Sequence, residues 1–175
     1  MLLYRIIFSK YAEAKFAPGE SGRWNLDGER VLYTSTSPAL AMSETMAHRL
    51  GQGFLSAGYS LITFEVSDKI PFEEISRSQL PEDWRLYSSY SISQPLGSDW
   101  FSKKRTLLLR VPSAVVPGDH NVVVNATHPE YDQLREISRE AFPFDQRFIQ
   151  ADEELKESRS KKAKEVKWGS RKKKN

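Results

Sequence analysis

Three side chains with chemistry to offer, Arg23, Tyr33 and Glu44, fall within 22 consecutive residues of a 175-residue chain. Arg23 sits in Ser21-Gly22-Arg23-Trp24-Asn25-Leu26-Asp27-Gly28, a turn-rich run whose glycines allow a backbone to approach a ligand closely. Two chemistries fit an arginine there: a surface cation paired with the neighbouring indole, or a guanidinium fork aimed in advance at an anion. Tyr33 reads either as a packed strand aromatic or as a ring offered to a ligand. Glu44 reads as a solvated helix carboxylate or as an acid held for a task. Its neighbours favour the second, because Leu40, Ala41 and Ala47 at i−4, i−3 and i+3 are small or apolar, so Glu44 projects from a face that looks buried. A carboxylate in such a place needs a partner or a role.

The elements that must position these groups follow from local pattern. Leu2–Phe8 is rich in branched and aromatic residues and predicts a first strand, and Val31-Leu32-Tyr33-Thr34 predicts a second, carrying Tyr33. Ser37 is suited to cap a helix with Pro38 at its first position; the helix then runs from Ala39 to about Leu50, carries Glu44, and stops before Gly51 and Gly53. Strands are predicted at 59–66, 107–111 and 122–124, with a turn-rich segment at 68–105 broken by Pro71, Pro81, Pro95 and Gly97. A helix is predicted from His128 to about Phe142, and a closing strand at 144–148. Strands outnumber helices and interleave irregularly, which predicts an α+β fold and not a doubly wound sheet. Gly51-Gln52-Gly53 lacks the third glycine of a dinucleotide fingerprint and follows a helix, so no Rossmann site is expected.

Composition narrows the chemistry. There is no cysteine, which removes disulfides, thiolate nucleophiles and thiolate-ligated metals. None of His48, His120 and His128 has a second histidine at i+3 or i+4, so no metal centre is expected. No apolar run approaches the roughly 20 residues of a membrane helix, and no signal peptide opens the sequence, which predicts a cytoplasmic protein with no membrane partner. The net charge of +3 is unevenly placed. Residues 151–175 hold ten basic and five acidic residues, so that segment is +5 and the first 150 residues are −2. The expected organisation is thus one domain over 1–150 and a basic, flexible tail over 151–175, in which Asp152 could pair with Lys156; the acidic body is not expected to bind nucleic acid.

The motifs also carry a resemblance. Gly22-Arg23-Trp24-Asn25, Val31-Leu32-Tyr33-Thr34-Ser35 and Ser37-Pro38-Ala39-Leu40-Ala41 with Glu44 and His48 resemble the N-terminal signature of the RES domain family. Leu96-Gly97-Ser98-Asp99-Trp100, Val111-Pro112-Ser113-Ala114-Val115-Val116-Pro117, Asn121 through Asn125 with His128-Pro129, and Phe144-Asp145-Gln146-Arg147 are similar to its later segments, in order, so that only the tail lies outside. Ala126 and Ser43 depart from the pattern, which usually has Pro and Leu there. The resemblance implies an ADP-ribosyltransferase-like mixed β core with flanking helices. It also implies a toxin neutralised by an Xre-type helix-turn-helix antitoxin, with a homodimer within that complex as an open expectation. It implies NAD as substrate, and Arg23, Glu44 and Ser113, joined by Tyr33, as the functional residues.

These residue types suit that chemistry. The nicotinamide–ribose bond breaks through an oxocarbenium-like state that a carboxylate at the ribose stabilises, the role expected of Glu44. Arg23 is expected to clamp the pyrophosphate or ribose, Tyr33 to stack on or orient the nicotinamide, and Ser113 to bind the dinucleotide, with Trp24 a packing anchor. Water or phosphate would be the acceptor. The first alternative is transfer of ADP-ribose to a protein, although Met42 stands where some arginine-directed transferases place a second Glu. A third reading, of another class, is a non-catalytic nucleic-acid-binding module using the basic tail.

Overall fold

The branched and aromatic runs pair into one seven-stranded sheet with the order β4-β5-β6-β2-β1-β3-β7. In chain order the strands are β1 (Leu2–Phe8), β2 (Val31–Ser35), β3 (Tyr59–Glu65), β4 (Phe72–Glu74), β5 (Leu108–Pro112), β6 (His120–Asn125) and β7 (Arg135–Ala141), and the helices are α1 (Pro38–Arg49), α2 (Tyr90–Lys103) and α3 (Gln146–Lys172). The computed structural model describes residues 1–12 and 17–172, so the end of the basic run, Lys173-Lys174-Asn175, lies outside the described residues. All neighbouring strands are antiparallel except β4 and β5. This is the expected α+β class. No helix among the described residues is long and apolar enough to cross a membrane.

Strand alternation divides the core between the two faces of the sheet. One face carries Leu3, Leu32, Ile62, Phe64, Leu108, Val122 and Val124 in a single apolar cluster. The other face carries two clusters. Toward β5, Val31, Leu109, Val111 and Val123 pack with Trp24, Trp84 and Trp100 beneath α2 and the segment before it. Toward β3, Ile6, Tyr59 and Leu61 pack with Ala41, Leu55 and Phe144 beneath α1. Ser35 pairs with Tyr4 on one side and with Asn121 on the other, so the strip of sheet between the two clusters is polar.

Three elements differ from the local pattern. The helix expected over 128–142 is a short 3-10 turn at Tyr131–Gln133 followed by β7, an edge strand paired with β3 through Glu65↔Arg135 to Ser60↔Ala141. Pairing overrides the helical propensity of Arg-Glu-Ile-Ser-Arg-Glu-Ala, and the strand's polarity is what an exposed sheet edge tolerates. The closing strand expected at 144–148 is instead the start of α3, because Asp145 accepts from Arg147 N at 2.9 Å and its carbonyl accepts from Phe148 N and Ile149 N, as a helix cap does. Within the turn-rich segment, α2 runs through Pro95 and Gly97, two residues that ordinarily interrupt helices.

Residue 150, the expected domain boundary, falls inside α3. Asp152 is 1% exposed and does not serve as the i,i+4 partner of Lys156. Its Oδ1 accepts from Gly51 N, Gln52 N and Gly53 N, and its Oδ2 accepts from Leu55 N. Gly51 and Gly53 have φ of +80° and +73°, the left-handed conformation that turns these N–H groups inward on one carboxylate. The glycine pair that looked like a broken nucleotide motif is therefore a socket for the C-terminal helix.

Candidate active site

Ser37 Oγ accepts from Leu40 N at 3.1 Å and Pro38 opens the helix, so α1 starts where the sequence signals it and lies on β1 and β2. That places Glu44 over the polar strip of the sheet, half-buried and not on a fully buried face, since Ala47 is exposed. Its Oε1 receives two donors: Ser113 Oγ at 2.7 Å and Asn121 Nδ2 at 2.5 Å. Among the described residues no hydrogen bond is made to Oε2.

Ser113 follows β5 and Asn121 lies on the paired β6, so sheet register brings both beneath α1. Ser113 is 2% exposed. Its oxygen accepts from Val115 N at 3.1 Å and Val116 N at 2.9 Å while its proton goes to Glu44. Asn121 Oδ1 accepts from Ser35 Oγ at 2.7 Å. Sequence reasoning missed Asn121 and Ser35. Ser35 stands two residues after Tyr33 and shares its face of β2, but nothing local signals a partner 86 positions away.

Tyr33 and Arg23 form a second group along the same face. Tyr33 keeps 36% of its surface exposed, yet its hydroxyl is enclosed: it accepts from Trp24 N at 3.0 Å and donates to Asn25 Oδ1 at 2.8 Å. Burial of that hydroxyl raises its pKa well above the usual phenol range, partly opposed by the Trp24 N–H. The Tyr33 hydroxyl thus fastens the Gly22–Asn25 turn, and Gly22 is required there because a Cβ would lie 2.5 Å from it. Asn25, fully buried, ties the turn further through the carbonyls of Glu20, Leu26 and Glu29.

Arg23 does not pair with the indole beside it. Trp24 is 3% exposed in the core, and the guanidinium lies over the rings of Tyr90 and Trp84 at 4.6 and 5.5 Å. It donates to the carbonyls of Trp84 at 2.5 Å, Arg85 at 2.8 Å and Leu86 at 3.4 Å. Carbonyls and rings fix a cation's position without neutralising it, and no carboxylate among the described residues forms an ion pair with Arg23. The charge therefore remains available to an anion. Arg23 and Tyr33 are joined through Trp24, and Glu44 to Ser35 through Asn121. The two groups meet along β2, and among the described residues no hydrogen bond links Arg23 or Tyr33 to Glu44.

The other motif residues build the frame. A Cβ on Gly97 would lie 2.0 Å from Trp24 O, so glycine lets α2 rest on the Arg23 turn, and Gln94 Nε2 donates to Gly22 O at 2.9 Å. His128 is buried, with Nδ1 accepting from Glu130 N and Nε2 facing Lys104 O at 3.1 Å. Asn125, fully buried, donates to Phe101 O and accepts from Thr127. At one departure from the motif pattern, Ala126 N donates to Arg30 O at 3.0 Å, a bond proline could not make. Arg147 lies beside Asp145 and holds that carboxyl at about 2. No cluster of three or more acidic or histidine side chains able to hold a metal occurs among the described residues.

Known proteins are similar to this chain in sequence and in fold. The family model for the RES domain matches residues 2–145. A protein of Photorhabdus laumondii named Toxin Res is 30% identical over 156 residues, covering 86% of this chain and 99% of that protein. The Prs ADP-ribosylating toxin of a Sphingobium species is 34% identical over 130 residues, covering 73% of this chain and 80% of that protein. In a crystal structure of the M. tuberculosis MbcT–MbcA toxin–antitoxin complex, one chain superimposes with a TM-score of 0.66 at 20% identity, covering 89% of this chain and 88% of that one; the likeness is one of fold.

Proposed function

This chain belongs to the RES domain family, and from that membership we propose that it is the toxin of a toxin–antitoxin pair that breaks the nicotinamide–ribose bond of NAD. The observation that carries the reading is the state of Glu44, whose carboxylate is anchored through one oxygen and has the other uncommitted. A carboxylate fixed in this way stabilises positive charge developing on a ribose without having to reorganise during the reaction. Arg23, held by carbonyls and stacked on aromatics, supplies an unpaired positive charge suited to the pyrophosphate. Tyr33, 36% exposed, offers its ring from β2 while its hydroxyl is engaged in the turn.

In the reaction, departure of nicotinamide leaves a cation delocalised over the ribose C1 and ring oxygen. Glu44 Oε2 meets the ribose hydroxyls and lowers the energy of that state, and water or phosphate then bonds to C1, with the attacking group's proton lost to solvent. No metal is required in this scheme. An Xre-type antitoxin would restrain the activity by covering the polar strip, as steric exclusion of NAD.

Transfer of ADP-ribose to a protein is the second reading, favoured by the similarity to a relative named as an ADP-ribosylating toxin. The bond broken is the same and only the acceptor differs. Met42, where some arginine-directed transferases carry a second Glu, packs against the apolar cluster beneath α1 and brings no acceptor-activating group. The test is product identity. Incubating the purified chain with NAD should give nicotinamide with ADP-ribose in phosphate-free buffer, or with ADP-ribose 1″-phosphate when phosphate is present. Release only on adding a protein, with label appearing on that protein, would replace this reading by the second.

A further inference from the structure

The serine of the family motif is expected to bind the dinucleotide, but its surroundings leave it no means of doing so. A serine hydroxyl has one proton and two lone pairs. At Ser113 the lone pairs are filled by Val115 N and Val116 N, and the proton goes to Glu44 Oε1. The side chain is also 2% exposed, behind the carboxylate it holds. The turn that follows β5 therefore directs the proton: with two N–H groups pointing at the oxygen, the O–H can only face an acceptor, and Glu44 is that acceptor.

Asn121 is constrained by the same logic. Its amide could point either end at Glu44, but a carboxylate only accepts, so Nδ2 turns toward it and Oδ1 is left to accept from Ser35 Oγ, 4% exposed. The reverse orientation would set a carbonyl oxygen against a carboxylate oxygen. Two donors from two neighbouring strands thus converge on one oxygen of Glu44.

We propose that Ser113 and Asn121 are positioning residues that dock Glu44 through Oε1, with Ser35 anchoring the far end of the Asn121 amide, so that Oε2 alone is presented to the ribose. This rests on the reading of Glu44 as the group that meets NAD. It assigns Ser113 to the carboxylate and not to the dinucleotide. It also adds Asn121 and Ser35 to the machinery.

The assignment separates binding from turnover. Ser113→Ala and Asn121→Ala would each be measured for kcat and KM on NAD and for affinity toward ADP-ribose, which keeps the pyrophosphate and ribose but lacks the scissile bond. Removing one donor to a charged group should lower kcat by about 10- to 100-fold while KM and ADP-ribose affinity stay within about twofold. A rise of about tenfold in KM and in the ADP-ribose dissociation constant, with kcat kept, would make Ser113 a dinucleotide ligand and overturn the proposal. A cycle of unfolding midpoints for Ser113→Ala, Glu44→Ala and the double variant, in which each single change removes the contact, needs no substrate: the effects should be non-additive, and additive effects would also overturn it. That cycle stands even if the wild-type chain releases no nicotinamide, an outcome that would defeat the proposed function and leave the docking of Glu44 to be judged by stability alone. Should Ser113→Ala fail to fold, Asn121→Ala in the same cycle carries the comparison from the other donor.

Discussion

Replacing Gly97 with alanine sets two effects of opposite sign against each other. Gly97 lies within α2, where glycine is about 1 kcal/mol less favourable than alanine, so helix propensity alone makes Gly97→Ala stabilising. Packing opposes this. The new Cβ would stand 2.0 Å from Trp24 O and 2.7 Å from Trp24 C, whereas real Cβ atoms keep at least 3.0 Å, so helix or turn must retreat by about 1 Å. The obstacle is backbone, and the turn behind it is pinned by Trp24 in the core and by the Tyr33 hydroxyl. Overpacking of this kind costs about 3 kcal/mol, the upper end of the usual range, which leaves a net loss of about 2 kcal/mol. Urea unfolding should show a lower midpoint at unchanged slope. The same displacement moves Arg23, and a shift of about 1 Å at a binding group costs about 100-fold in turnover under conditions where the variant is still folded. A variant as stable as the wild type, or more so, would show that α2 does not rest on the Arg23 turn and would refute the reasoning.

Tyr33→Phe keeps the ring but leaves Trp24 N and Asn25 Oδ1 without their shared partner; it should cost about 1–3 kcal/mol in chemical denaturation. Asp152→Ala would strand four N–H groups at 51, 52, 53 and 55 and should cost about 3–5 kcal/mol. Its pH dependence has a definite sign. Burial pushes the Asp152 carboxyl up, but the N–H groups of Leu55, Gly53, Gly51 and Gln52 together outweigh it and hold it below its ordinary value of 3.8. A carboxyl lowered on folding stabilises the protein above the unfolded value, and that contribution is lost as pH falls through the folded one. The difference in midpoint between wild type and Asp152→Ala should therefore be full near neutral pH and shrink below about pH 4; a difference unchanged down to pH 2 would remove the charged carboxylate from the explanation.

The parts of this fold that can be read from the sequence are those set by neighbours in the chain. Ser37 and Pro38 announce the start of α1, Gly51 and Gly53 its end, and the branched runs at 2–8, 31–35, 59–65 and 108–112 lie where pattern puts them. β7 could not be read, because its polar residues gain strand structure only from the edge of β3. α2 was hidden by Pro95 and Gly97, although Gly97 is there for the sake of Trp24, 73 positions earlier. The site divides in the same way. Arg23, Tyr33, Glu44 and Ser113 stand out as functional residues through the family resemblance; Asn121 and Ser35 lie in the same motif segments, but their contacts come from β2–β6 register and from a carboxylate on a third element.

The proposed function rests on the Glu44 carboxylate driving cleavage of NAD at the ribose. Glu44→Gln tests it with the smallest change of shape, measured as nicotinamide release from NAD alongside affinity for ADP-ribose. Release should fall by about 10³-fold while ADP-ribose still binds and the unfolding midpoint stays close to that of the wild type. Release within about tenfold of wild type, by a variant that is folded and binds ADP-ribose, would contradict it.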